Sequence, residues 1–223
     1  MRLFARRTDQ SRAVPLGRAV ADRRGGGWRL RASRALRDGS YAITATEADR
    51  RGHVTGPVPL GPLGPSGALV IDTRAPRITD ATFDPDTREV TITYQDRDSG
   101  FDVEHLSFGS GPLADPENYR LSKPGTSSEA LSLFLSPDIF GSDPEDQPRP
   151  NDPVTLSGTI DDPEPKPGDR YWLTVLARGV TDLAGNALDG ESRGLFPAGD
   201  GRPGGNFRTR LAASPRRAWR PGR

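Results

Sequence analysis

Apolar and polar residues alternate along much of this chain, in short runs. Glu89-Val-Thr-Ile-Thr-Tyr94 is the clearest case: Val90, Ile92 and Tyr94 share one face, Thr91 and Thr93 the other. That period of two belongs to a half-buried β-strand. The same alternation predicts strands over Trp28–Ala32, Tyr41–Thr46, Ala68–Asp72, Arg77–Phe83, Asn118–Ser122, Val154–Ile160 and Tyr171–Ala177, with Phe101–Phe108 as a further candidate. Leu131, Leu133 and Leu135 alternate too, in a run too short to assign. Asp38-Gly39, Arg51-Gly52 and Asp84-Pro85-Asp86-Thr87 are turn signals. Two stretches interrupt the series: Gly56–Gly67, rich in Pro and Gly and unfit for a sheet interior, and Gly141–Pro153, an acidic loop with four prolines. No helical period is sustained. Seven or eight short strands separated by turns point to an all-β chain of the β-sandwich kind.

Composition narrows the function classes. The chain has 223 residues, with 26 Gly and 22 Pro, and 33% are apolar, enough for a thin core. No apolar run approaches the length of a transmembrane helix. The absence of Cys excludes disulfides, thiolate zinc sites and Cys nucleophiles. Only two histidines occur, His53 and His105, far apart in sequence. The balance points away from an enzyme.

Charge changes the picture at the ends. The net charge of +1 divides into +9 over residues 1–37, −14 over 38–207 and +6 over 208–223. Basic ends can bind nucleic acid. Here, however, only Lys123 and Lys166 are lysine among 31 basic residues, as in a GC-rich coding sequence, and no aromatics interleave the arginines. Solvated tails are the expectation, with no nucleic-acid partner. Residues 1–27 lack a sustained period, end in Gly25-Gly26-Gly27 and read as a disordered basic segment. They contain an Arg6–Arg7 pair but no hydrophobic stretch of seven residues, so no export signal is expected in this chain.

Few motifs carry chemistry. Asp96-Arg-Asp98-Ser-Gly100-Phe-Asp102-Val-Glu104 places acids around a glycine, a pattern that can wrap a hard cation. Its glycine falls one place early for an EF-hand loop and no glutamate stands at the twelfth position, which favours a solvated acidic turn. Gly199-Asp-Gly201-Arg-Pro-Gly204 satisfies a dinucleotide-binding pattern by chance: Pro203 sits inside it and no helix pattern follows. Asp161-Asp162 lies in a Pro-rich loop, and Trp172, on a strand, reads as core rather than as a sugar platform. No catalytic residue is assigned.

Two segments carry a family resemblance. Leu36-Arg-Asp-Gly-Ser-Tyr-Ala-Ile-Thr-Ala-Thr, followed by Val70-Ile-Asp-Thr-Arg-Ala-Pro76, resembles the closing half of a bacterial Ig-like repeat. Tyr171-Trp-Leu-Thr-Val-Leu-Ala-Arg-Gly-Val-Thr-Asp-Leu-Ala-Gly-Asn186-Ala-Leu resembles the ending of Ig-like domains in surface-layer and adhesin-type proteins. Phe196–Phe207 is similar to a tail that follows such domains in large planctomycete-type secreted proteins. The resemblance implies an Ig-like β-sandwich over 74–207, preceded by a partial Ig-like unit over 28–73 that lacks its opening strands. The disordered segment 1–27 and a basic tail over 208–223 flank them, and Met1 could be an internal or misassigned start. It implies a non-catalytic structural or adhesion module of a cell-surface or secreted protein, in contact with neighbouring repeats or extracellular matrix. Related repeats hold calcium at domain junctions, which adds Asp72, Asp80, Asp182 and Asp189 to Asp96, Asp98 and Asp102 as candidate calcium ligands. The alternatives are a carbohydrate-binding accessory module of a secreted enzyme, and a hydrolase whose catalytic half lies elsewhere.

The motif also has a physical sense of its own. Asp182 can cap the turn after its strand, Gly185 supplies a positive φ, and Asn186 tolerates one. Tyr41 and Tyr171 each offer a large buried ring with a hydroxyl for a loop carbonyl.

Overall fold

The computed structural model describes residues 1–20, 27–48, 51–61, 68–102, 111–123, 129–130, 134–135, 152–160, 169–192 and 195–212. The chain divides into two compact units, Met1–Thr73 and Arg74–Arg223. Among the described residues all strand pairing is antiparallel apart from one isolated bridge, Asp189 to Gly204, and the helical content consists of short 3₁₀ turns. No helix among them is long and apolar enough to cross a membrane.

The first unit is one sheet. It contains β1 (Arg2–Arg7), β2 (Ala13–Arg18), β3 (Gly39–Thr46), β4 (Val58–Pro59) and β5 (Leu69–Ile71). The order is β2-β1-β3-β4, and β5 also pairs with β3. Along β3 burial alternates strictly: Gly39, Tyr41, Ile43 and Ala45 face inward. Leu3 and Ala5 of β1 and Leu16 of β2 complete this face, with Leu30, Leu36, Leu60, Leu69 and Ile71 packed at its margin. The β4 strand is a two-residue edge, where Pro59 costs no interior ladder bond.

Two expectations fail here. Residues 1–27 were expected to be disordered, yet β1 lies inside the sheet, bonded to β2 on one side and β3 on the other. Only Leu3 and Ala5 of β1 are buried, so its inward face is two apolar residues set among arginines. That face is too short to read as a period. The described part of the segment thereby contributes two strands to the sheet of the first unit. Conversely, Trp28–Ala32 forms no strand. Leu30 packs against the core from irregular chain, and Ser33 bonds through its N–H and its Oγ to the Leu16 carbonyl.

Among the described residues the second unit has two four-stranded sheets. Its strands are β6 (Arg77–Asp84), β7 (Glu89–Gln95), β8 (Tyr119–Ser122), β9 (Glu129–Ala130), β10 (Phe134–Leu135), β11 (Val154–Thr159), β12 (Arg170–Val175) and β13 (Phe207–Ala212). One sheet has the order β10-β11-β7-β6, the other β13-β12-β8-β9. Val90, Ile92 and Tyr94 of β7 point inward, opposite Gly158, Leu156 and Val154 of β11. On the outer face Thr93 meets Thr155, Oγ1 to Oγ1 at 3.2 Å. The other sheet turns Tyr119, Leu121, Tyr171, Leu173, Val175, Phe207 and Leu211 onto the same core. Phe83 meets Tyr171 edge-on at 4.9 Å between centroids, which ties the two sheets together. This two-layer arrangement fits a β-sandwich.

The turn chemistry follows the sequence. The Asp84 carboxylate accepts from the Asp86 and Thr87 amides at 2.8 and 3.4 Å and closes the β6–β7 hairpin. Residues 208–212, expected in the basic tail, are the body of β13, with Leu211 opposite Tyr171. Inside this strand Arg208 and Arg210 alternate with the inward Phe207, Thr209 and Leu211, so the arginines mark an outer face rather than a tail. Residues 103–110, in the strand candidate Phe101–Phe108, and 141–151, in the acidic loop, lie outside the described residues.

Candidate functional site

The candidate calcium ligands fall at the loops of the second unit, with two exceptions. Asp72 belongs to the first unit, where it follows β5 and is buried. Asp80 lies on β6, exposed. Asp96, Asp182 and Asp189 are buried in the second unit, at 1%, 5% and 1% exposure.

Asp96 follows β7 and organises the loop after it. Its Oδ2 accepts from the amides of Asp98, Ser99 and Gly100 at 3.2, 2.9 and 2.6 Å. Three main-chain donors on one oxygen hold the loop in a tight nest around the carboxylate. Asp98 sits within that nest and reaches Arg74 at 3.7 Å. Asp102 follows the buried Phe101 and is half-buried. The Leu183 amide bonds to the Gly100 carbonyl at 2.9 Å, which joins this loop to the turn that Asp182 closes.

Asp182 caps its turn with both oxygens. Oδ1 accepts from the Asn186 amide and Oδ2 from Asn186 Nδ2, each at 2.8 Å. The main chain closes too: Gly185 N–H bonds to Asp182 O, and Asp182 N–H to Asn186 O. Gly185 stands at φ 86°, which a residue with a Cβ adopts only at a cost. A carboxylate oxygen of Asp96 and one of Asp182 lie within 4.8 Å of each other, the spacing at which one hard cation could engage both.

Asp189 holds the segment leading into β13. Its Oδ1 accepts from the Asp200 amide and its Oδ2 from the Gly201 amide, both at 2.8 Å, while Arg77 NH2 lies 2.9 Å from Oδ2. Glu191 and Asp200 approach the same carboxylate within 4.8 Å. The glycine-rich run Gly199–Gly204 is thus folded around a buried carboxylate. A carboxylate in that place would repel the phosphates a dinucleotide loop receives.

The uncharged polar groups of the interior follow the same pattern. Asn118 Nδ2 donates to the carbonyls of Pro112 and Gly179 at 2.8 and 2.9 Å. Tyr94 Oη donates to Tyr119 Oη at 3.1 Å, and Tyr119 Oη donates to the Leu113 carbonyl at 2.7 Å. Burial, the largest cause, pushes both phenols above their ordinary value; the neighbouring phenol adds to the rise at Tyr94, whereas at Tyr119 the hydrogen bond from Tyr94 lowers it in part and Asp115 raises it. In the first unit Tyr41 Oη donates to the Arg37 carbonyl at 2.8 Å.

Trp172 departs from its expected core position. It lies half-buried on the outer face of β12, with Arg210 opposite and the Arg208 guanidinium over its ring at 4.7 Å. The neighbouring Thr174 pairs with Arg120 and Arg208. The signal was available in the sequence: Tyr171, Leu173 and Val175 already claim the inward face, so Trp172 must take the other. Asp161-Asp162 and His105 lie outside the described residues. No protein-family model matches the chain, and comparison with curated proteins finds no match.

Proposed function

We propose that this chain is a non-catalytic, Ig-like structural and adhesion module of a bacterial cell-surface or secreted protein. One observation carries the reading. Four buried polar side chains described in the second unit bind the main chain: Asp96, Asp182, Asp189 and Asn118 each hold backbone groups of nearby loops. A catalytic carboxylate needs lone pairs aimed at a substrate, whereas these serve to fix loop ends between strands. Two units with separate cores suit a spacer, because each supplies reach without help from the other. The Asp182–Asn186 turn gives the Ig-like resemblance a physical basis, since Asp182, Gly185 and Asn186 each have a structural part in it.

Fractionation of native cells, blotted with an antibody to residues 74–207, tests this. The protein is expected at the surface or in the medium. Confinement to the cytoplasm overturns the reading.

The outer face of β12 favours a second reading, a carbohydrate-binding module. Trp172, Arg120, Arg208 and Arg210 give that face an aromatic ring amid cations, the chemistry of an acidic sugar contact. Binding on a glycan array that disappears in Trp172→Ala supports it, and a blank array removes it.

A further inference from the structure

The first unit carries a cluster of positive charge that the proposed function does not use. Met1–Thr73 contains thirteen arginines against six acids, a net of +7. Arg7, Arg12, Arg34 and Arg37 line a single cleft of about 200 Å³, together with Gln10 and Tyr41. No acidic residue is among those that line it.

These four arginines come from two segments, and each segment is fastened to the sheet. Arg7 ends β1, and the turn after it closes through Gln10 N–H on Arg7 O and Thr8 N–H on Ser40 O. The Arg7 guanidinium lies against Gly39, where an added Cβ would sit 2.8 Å from Nε, and Asp9 Oδ1 holds the same Nε at 3.2 Å. Arg12 stands just before β2. On the other wall Ser33 is bonded to Leu16 O beside Arg34, and the Arg37 carbonyl receives the Tyr41 hydroxyl. The arrangement places four cations around one concavity on a pinned main chain. Like charges gathered there repel one another, and an anion in the cleft relieves that repulsion.

We propose that this cleft binds a tetrahedral oxyanion of the phosphate or sulfate class, free or as an ester. The guanidinium fork presents paired N–H donors that match two oxygens of such a group, and several forks can share one anion. Asp9 engages Arg7 through Nε, and Arg7 still lines the cleft. Gln10 adds a neutral donor. The inference is independent of the surface-module reading and stands or falls on the first unit alone.

Calorimetric titration of the full chain tests it, with inorganic phosphate, inorganic sulfate and glycerol phosphate as probes against chloride at matched ionic strength. The Arg12→Gln/Arg34→Gln variant removes two exposed cations, neither of which braces the sheet. Arg51→Gln, outside the cleft, removes a charge as a control. Binding of at least one oxyanion is expected, weakened about tenfold or more in the double variant and unchanged in the control. Preference for glycerol phosphate over inorganic phosphate assigns the group to an ester, and the reverse to the free ion. Equal heat with chloride, or equal affinity in the double variant, overturns the proposal. So does binding of a single-stranded oligonucleotide with none of the three probes, which would make the cleft part of a nucleic-acid surface.

Discussion

The paired tyrosines of the second unit have a direction, and that direction makes a quantitative prediction. The Leu113 carbonyl can only accept, so the Tyr119 proton is committed to it at 2.7 Å. The Tyr94 proton must then point to Tyr119 Oη, at 3.1 Å. Both rings are fully buried, so no water stands ready to replace a lost partner. Tyr94→Phe removes the head of the relay: Tyr119 keeps its proton on Leu113 and loses only an incoming bond. The cost expected is about 1 kcal/mol, the net worth of one hydrogen bond. Tyr119→Phe removes the middle. The Tyr94 hydroxyl loses its acceptor and the Leu113 carbonyl its donor, and each buried group left unpaired costs about 1–3 kcal/mol. The expected loss is therefore about 2–4 kcal/mol. In the double variant Tyr94 contributes no stranded hydroxyl, so it should lose less than the two single losses summed. Urea unfolding of the full chain, followed by near-ultraviolet circular dichroism, measures all three. If Tyr94→Phe cost as much as Tyr119→Phe, the relay would not run in the direction described.

The same pair governs alkaline stability. Both phenols are raised in the folded state, so the unfolded chain releases protons first; stability should be full below about pH 10 and then fall by about 1.4 kcal/mol per pH unit for each tyrosine until its folded value is reached. Tyr94→Phe should halve that slope, and an unchanged slope counts against the assignment. At Gly185, where φ is 86° and nothing crowds an added Cβ, Gly185→Ala should cost about 1–2 kcal/mol from backbone strain alone. At Gly199, where a Cβ would meet the Asp189 carboxylate, Gly199→Ala should cost more than about 3 kcal/mol, and equal melting of the two variants would refute the distinction. Asp189→Ala leaves two amides without their acceptor and removes the Arg77 ion pair, whose guanidinium stays in water, for an expected loss of about 2–4 kcal/mol in urea unfolding, chiefly from the amides; a loss below about 1 kcal/mol would mean that the segment 199–201 is held otherwise. If calcium binds the Asp96–Asp182 pair with an extracellular-range dissociation constant near 1 mM, then ~10 mM calcium should stabilise the chain by about 1.4 kcal/mol over chelator. A melting curve that does not move removes calcium from the reading.

What the sequence made legible depended on whether a residue's neighbours lie near it in the chain. The β7 strand could be read because Val90, Ile92 and Tyr94 declare the inward face within five residues, and the structure buries all three. The Asp182–Asn186 turn could be read because its donor and acceptor are four residues apart. The loop nest at Asp96 was half visible: the cluster of acids suggested a cation, whereas Oδ2 of Asp96 is occupied by the amides of its own loop, donors that no side-chain pattern displays. The β1 strand could not be read, because its burial comes from β2 and β3 on either side, and two buried apolar residues among arginines announce neither partner. Arginine misled twice for one reason. Arg2 and Arg6 in β1, and Arg208 and Arg210 in β13, take the outward positions of a strand, and by composition alone that pattern is indistinguishable from a solvated tail. The long arginine stem tolerates a place on a sheet while its head stays in water, so charge density at the chain ends marked exposure of side chains without marking disorder of the backbone. The Arg7–Arg12–Arg34–Arg37 cleft is the extreme case, since it exists only once β1 and β3 are paired and the segments beside them are brought to one edge.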